Sequence, residues 1–474
     1  MFKLGLKSRF YHPMIIILVY LVIHAALRLL FSDTLQVDDR EQILIAQNLE
    51  LGYKMPQPPL YSWLSWFFFK IFGPNLFALT LLKYTLIYIT FYFIWKIGDL
   101  ILNDENLKKI LLFSYLLMPS FFWHMHQGFT HTILLGFGIV SSLYYLFKLE
   151  RKICIKNFLL FGLSISIGLM GKYSFILFLL PILLSSLYSS EYRPIYHNKK
   201  SFVILIPIII IVGPHLIWLS QNLNEIFFMA DQRLAINSSE VPNIDTGIKI
   251  FASFFGFITP LIFFFIPLLF LARRKLNSSI CQTRLLNNFY FLVGLLIILF
   301  VIMFEIQNIK VRWLHPLMMI FPIWAMLLLN SEKNLISLKA SKIFFALVIS
   351  LSIIVVSIRV VQMTIGPNLG YYGRLNMPIT ETIKKIPEEY LQNQILILDY
   401  DIFAHFVTIY PWKKTIYEKQ VFNSSAPAEE KCLIIDNKKP DKNKDQSLLG
   451  EVETLVAKYK YQIYYSVESI KKCS

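Results

Sequence analysis

The chain has 474 residues, 56% of them hydrophobic and only 16% charged, whereas soluble domains carry about 25% charged residues. That balance excludes an ordinary soluble globular protein. The formal charge of +16 does not signal nucleic acid. The Lys and Arg residues are dispersed over short loops between apolar runs, where they set topology and meet anionic lipid headgroups.

Taken in chain order, apolar runs near 14–31, 76–96, 110–123, 131–147, 157–170, 174–190, 201–219, 250–271, 287–304, 314–330 and 343–362 predict about eleven membrane spans, many of them near the ~20 residues a bilayer requires. The basic start and apolar 14–31 run imitate a signal peptide. Phe31-Ser32-Asp33-Thr34 offers no small-residue cleavage site, so the run is expected to stay as the first span. With the N-terminus cytoplasmic, one set of alternate loops collects Lys3, Lys7, Arg9, Lys108, Lys109, Lys148, Arg151, Lys152, Arg273, Arg274 and Lys275, among others. The opposite set holds only Arg40, Lys54, Lys70, Lys172, Arg233, Lys310 and Arg312. This asymmetry orients the chain and places residues after 362 outside.

The first outer loop is unusually informative. It reads Gln36-Val37-Asp38-Asp39-Arg40-Glu41-Gln42, then Gly52-Tyr53-Lys54 and Gln57-Pro58-Pro59-Leu60-Tyr61-Ser62-Trp63-Leu64. Three acids within four residues beside a span are costly unless they stay hydrated or serve a site; a solvated helix start, favoured by the dipole, explains them equally well. The paired prolines fix an extended turn ahead of an amphipathic stretch at 60–72, whose aromatics suit an interfacial helix. Ordinary interface anchoring accounts for those aromatics too.

The tail, 363–474, is polar. Short β-like runs at 395–398, 432–435 and 462–465 and a helix-like stretch at 448–459 predict a small α/β domain. The domain division is therefore 1–362 and 363–474. Cys154 and Cys281 fall in cytoplasmic loops, and Cys432 and Cys473 in the external domain, where a disulfide and two free thiols both fit.

The first-loop motif, with Thr130-His131-Thr132, Gly171-Lys172-Tyr173-Ser174 and Arg312-Trp313-Leu314-His315-Pro316 in later outer loops, resembles the polyprenyl-phosphate-dependent glycosyltransferases of the GT-C fold, family 39. The nearer likeness is to the bacterial branch that modifies lipid A and lipopolysaccharide core, and it spans about residues 1–330. Where the aminoarabinose and protein-mannosyl branches place an Arg and a Glu-Lys, this chain has Glu41 and Pro56-Gln57, which favours the branch similar to rhizobial galacturonosyltransferases.

The resemblance implies an α-helical polytopic GT-C-like enzyme of the bacterial inner membrane. Its site would face the periplasm, where a sugar passes from a polyprenyl-phosphate donor to a lipid or glycolipid acceptor. Asp38 is the first candidate for general base, with Asp39 second or as a metal or sugar ligand. Lys172 and Arg312, then Lys54 and Arg40, are candidates to stabilise the departing phosphate, against a simpler role in headgroup contact. Gln57, His131 and Tyr61 are candidate substrate contacts. A divalent cation held by Asp38 and Asp39 stays open, while the His124/His126/His131 group reads better as hydrogen-bonding than as metal-binding. No P-loop, Rossmann fingerprint or zinc-type Cys cluster is present, so a soluble nucleotide sugar as direct donor has no support. A transporter or lipid flippase is the alternative; it predicts internal repeats and midplane acids, and no convincing repeat is found.

Overall fold

A computed structural model describes residues 12–224, 226, 256, 258–272, 280–304, 315–330, 336–392, 394–413, 415–417, 431–439 and 450–469. The chain divides into two compact units: residues 1–22, 50–61 and 83–355, and residues 23–49, 62–82 and 356–474.

The helices follow the apolar runs. α1 is Pro13–Phe31, α2 Val37–Ile45, α3 Leu60–Phe72, α4 Leu76–Ile101 and α5 Glu105–Ser114. Next come α6, His131–Arg151; α7, Ile155–Gly171; α8, Ile176–Tyr188; and α9, Leu205–Gln221. α10 is Leu261–Ala272, α11 Cys281–Phe304, α12 Phe321–Leu329 and α13 Leu338–Thr364. Among the described residues five helical segments are long and apolar enough to cross a membrane, at Pro13–Phe31, Leu76–Ile101, His131–Arg151, Lys199–Gln221 and Leu338–Thr364.

Two expected spans are not continuous helices. The 110–123 run is broken after α5: a 3-10 turn at Tyr115–Leu117 leads to extended Met118, then Pro119–Phe122 and a second 3-10 turn at His124–His126. Pro119 lacks an N–H and pushes Met118 out of the helical region. The 314–330 run likewise divides into two short pieces, His315–Met318 and Phe321–Leu329.

In the first unit, α6 and α7 form an antiparallel pair whose backbones meet at glycine. A Cβ on Gly138 would lie 2.4 Å from Gly168 Cα, so the crossing requires hydrogen at that position. The pairing brings the start of α6 beside the end of α7.

The second unit is built on a five-stranded sheet: β1 Gln394–Ile397, β2 Thr415–Tyr417, β3 Lys431–Asp436, β4 Gly450–Val456 and β5 Tyr459–Ser469. Strand order is β2-β1-β3-β5-β4. β1 runs parallel to β2 and β3, while β5 is antiparallel to β3 and β4. Residues 448–459, expected to be helical, contain β4 instead. Its exposed Glu451, Glu453 and Leu455 alternate with more buried Val452, Thr454 and Val456, a period of two. The turn into β5 passes through Ala457 at φ 53, as a tight hairpin connection demands.

α14 (Ile379–Ile383) and α15 (Tyr400–Ile409) cover this sheet, with α15 connecting parallel β1 and β2. Their core of Ile379, Ile383, Ile395, Ile397, Ile402, Phe406, Leu433 and Ile435 also buries Leu35, Ile43, Ala46 and Phe69. The boundary expected at 362/363 therefore does not delimit the compact unit. The apolar face of α2 completes the core of the tail, which draws the first part of the first loop, up to Leu49, into this unit, whereas residues 50–61 belong to the first unit.

Candidate functional site

α2 carries Asp38 and Asp39 in its first turn, where the dipole favours carboxylates. Asp38 is half-buried and Asp39 buried. Asp39 Oδ2 accepts the Gln36 backbone N–H at 3.3 Å and lies 3.5 Å from Arg28 Nη2. Arg28, buried near the end of α1, also donates to the carbonyls of Ser32 at 2.8 Å and Thr34 at 2.5 Å. A buried guanidinium needs such acceptors to offset desolvation. Among the described residues no group of three or more His, Cys, Asp or Glu side chains is arranged to hold a metal ion.

Arg40, a candidate for the donor phosphate, is paired within the second unit. Its Nη1 lies 2.6 Å from Asp401 Oδ2, and its guanidinium sits over the Tyr400 ring at 4.7 Å. Asp401 is also paired with Arg374. Burial alone would raise the Asp401 pKa, but Arg374 and Arg40 outweigh it and hold the carboxyl below its usual range. His405, fully buried on α15, accepts the Leu35 backbone N–H at Nε2 (2.9 Å) and donates from Nδ1 to the Asp401 carbonyl (2.6 Å). Those two bonds define the neutral Nδ1–H tautomer, and burial lowers its pKa to about 4. Gln42, one α2 turn beyond Asp38, accepts from Ser62 Oγ at 2.9 Å.

The first unit gathers a second set of predicted residues. Lys172, buried just past α7, donates from Nζ to Thr132 Oγ1 at 3.0 Å. Neighbouring His131 opens α6, and its ring lies 5.6 Å from that of fully buried Tyr61. His131 and His315 are both within electrostatic reach of Lys172. The Thr-His-Thr, Gly-Lys-Tyr-Ser and His-Pro segments therefore converge with Tyr61 of the first loop. Gln57 is half-buried and Lys54 exposed in that loop. Arg312 lies outside the described residues, as does Cys473; the Cys432 side chain is likewise outside them.

Sequence reading misses His215 and Trp218 on α9. His215 Nε2 meets Tyr173 Oη at 3.0 Å, and its Nδ1 lies 3.0 Å from the Leu51 carbonyl. A Cβ on Gly52 would come within 2.3 Å of the Trp218 ring, which explains the glycine of Gly52-Tyr53. No nearby motif in the sequence marks either residue. His126, by contrast, is held between Tyr20 Oη at 3.0 Å and Tyr84 Oη at 3.1 Å, the hydrogen-bonding role expected for this group.

The backbone is similar over nearly its whole length to ArnT from Cupriavidus metallidurans bound to undecaprenyl phosphate. The match has a TM-score of 0.59 at 10% identity and covers 96% of this chain and 97% of that one. The protein has the GT-C glycosyltransferase fold. The apo state of the same ArnT matches this GT-C chain with a TM-score of 0.57, at the same identity and coverage. The profile of the dolichyl-phosphate-mannose-protein mannosyltransferase family matches residues 56–218. That stretch contains Tyr61, His131, Thr132 and Lys172 and ends at Trp218; Asp38 and Asp39 precede it. Two curated relatives from Rhizobium johnstonii are similar in sequence. Lipopolysaccharide core galacturonosyltransferase RgtB is 27% identical over 366 residues, 76% of this chain and 73% of the relative. Lipopolysaccharide core galacturonosyltransferase RgtA is 26% identical over 374 residues, 77% of this chain and 74% of the relative.

Proposed function

We propose that this glycosyltransferase takes a sugar from a polyprenyl-phosphate carrier at the periplasmic face of a bacterial inner membrane and transfers it to a lipopolysaccharide-type acceptor. A galacturonosyl group is the best-supported cargo. The observation that carries this reading is the similarity to two lipopolysaccharide core galacturonosyltransferases over about three quarters of both partners. The fold shared with an undecaprenyl-phosphate-bound ArnT supports the lipid-linked donor. A transporter or flippase is not favoured.

In the proposed mechanism Asp38 accepts the proton of the acceptor hydroxyl as its oxygen attacks C1 of the sugar, and the carrier phosphate leaves with the bonding electrons. Asp39 is committed to Arg28 and the start of α2, so it shapes the turn that presents Asp38. Lys172, with Lys54 and Arg312, offsets the charge developing on the phosphate. Tyr61, His131 and Gln57 line the donor's sugar, and about eleven spans carry the whole.

The test is transfer in proteoliposomes containing purified protein, polyprenyl-phosphate-linked galacturonic acid and lipopolysaccharide core acceptor, read by mass spectrometry. A mass increase of one uronic acid on the acceptor is expected. No transfer from that donor, alongside transfer from a mannosyl or aminoarabinosyl donor, would overturn the assignment of the sugar.

A further inference from the structure

We propose that Asp401 and His405 of the C-terminal sheet domain are positioning residues for the reaction: they hold the first-loop helix α2 so that its carboxylate meets the acceptor. The inference rests on the reading of Asp38 as general base.

The observations converge on a short stretch of chain. Leu35 stands three residues before Asp38, and both of its backbone polar groups are taken by the tail. Its N–H is donated to His405 Nε2 at 2.9 Å, and its carbonyl accepts from Arg374 Nε at 2.7 Å. Arg40, two residues after Asp38, is held by Asp401 at 2.6 Å and by the Tyr400 ring. Fixing a peptide ahead of Asp38 and a side chain behind it determines both the rotation and the tilt of the first turn of α2. Two hydroxyls reinforce the hold: Ser32 Oγ donates to the Leu375 carbonyl at 2.7 Å, and Thr34 Oγ1 to the Met377 carbonyl at 2.6 Å.

The gripping residues are themselves anchored. Asp399 Oδ1 caps α15 by accepting the Ile402 N–H at 2.8 Å, and its Oδ2 accepts from Asn437 Nδ2 at 2.7 Å at the end of β3. Ile402 and Phe406 bury the other side of α15 in the core over the sheet. The sheet, α15 and α2 therefore form one continuous mechanical connection. Core packing alone would hold α2 against α15. It would not explain why ion pairs and backbone hydrogen bonds cluster on the residues flanking Asp38.

The test compares turnover per folded protein, in proteoliposomes with the polyprenyl-phosphate-linked sugar donor, for Asp401→Asn, Asp401→Glu, Arg40→Gln and the Asp401→Asn/Arg40→Gln double variant. Misplacement of a reacting group by about 1 Å costs up to ~100-fold. Asp401→Asn is expected to lower kcat roughly 10–100-fold with donor KM unchanged, and Asp401→Glu to recover most of it. The double variant should be no slower than the slower single. Wild-type kcat in folded Asp401→Asn, or fully additive losses, would overturn the proposal. If Asp401→Asn does not accumulate, hydrogen exchange on His405→Gln replaces it. Faster exchange over 35–45 with unchanged protection over 431–436 is expected, and uniform protection would overturn the proposal. Asp38→Asn is measured in parallel. Its inactivity beside a fully active Asp401→Asn overturns the positioning role alone, whereas a fully active Asp38→Asn removes the reading beneath both.

Discussion

Lys172 Nζ donates to Thr132 Oγ1 at 3.0 Å, joining the residue just past α7 to the second residue of α6. The ammonium is buried, which strengthens its field on a nearby phosphate. Lys172→Met keeps the apolar stem and removes the charge. Its kcat per folded protein should fall about 10²–10³-fold, the usual cost of losing a group that stabilises developing charge. Thr132→Val preserves shape and removes one acceptor, so it should cost about tenfold. Single-turnover transfer in proteoliposomes distinguishes these losses from lower protein yield. Unchanged turnover in folded Lys172→Met would confine Lys172 to a structural role.

The same juxtaposition depends on the Gly138–Gly168 approach. A side chain at Gly138 must push α7 away, since its Cβ would meet Gly168 Cα at 2.4 Å. Gly138→Val should destabilise the helix pair by ~1–3 kcal/mol, the usual cost of overpacking. Turnover should fall further than the loss of folded protein explains, because Lys172 and Thr132 separate. Thermal unfolding in nanodiscs, alongside turnover normalised to folded protein, checks both effects.

Much of this arrangement is legible in the chain. α1 and α13 follow from continuous apolar runs, and α3 at Leu60–Phe72 from its amphipathic pattern after Pro58-Pro59. The motif residues Tyr61, His131 and Lys172 are found through their resemblance to family patterns, and the fold brings them together. What is not legible depends on partners distant in sequence. Asp401 and His405 look like unremarkable members of a polar tail until Leu35 and Arg40, from the far end of the chain, are placed against them. β4 is hidden for a related reason. Its period-two pattern is short, and pairing with β5 rather than local propensity fixes it as a strand.

His405 makes the second unit sensitive to acid. Its neutral form accepts from the Leu35 N–H, and protonation would point an Nε2–H at that donor. The folded pKa of about 4 lies below the ordinary value of 6.5. The unfolded chain therefore binds more protons between these values, and stability falls as pH drops through that window. The full effect corresponds to roughly 3 kcal/mol. Asp401, Arg374 and Asp33 face the imidazole, and Asp401 adds a loss in the same direction at lower pH. Thermal unfolding in nanodiscs from pH 7.5 to 4.5 should show a steeper decline for wild type than for His405→Gln. Equal slopes would remove His405 as the titrating group.

The two first-loop acids should separate by the kind of damage their loss causes. Asp39 accepts from the Gln36 N–H and faces buried Arg28, so Asp39→Asn removes the negative charge from that buried pair. Removing one partner of a buried pair costs about 3–5 kcal/mol, and Asp39→Asn should lower the folded yield markedly. Asp38 is half-buried in the same turn. Asp38→Asn keeps its shape and should leave yield and unfolding temperature near wild type. An amide cannot take the acceptor's proton, so turnover per folded protein should fall by ~10²–10⁴-fold. Binding of the lipid-linked donor, measured separately, should be unchanged in Asp38→Asn, because the lost step concerns the acceptor. Near wild-type turnover in Asp38→Asn would exclude it as the base. The same result for well-folded Asp39→Asn would exclude Asp39 from presenting Asp38.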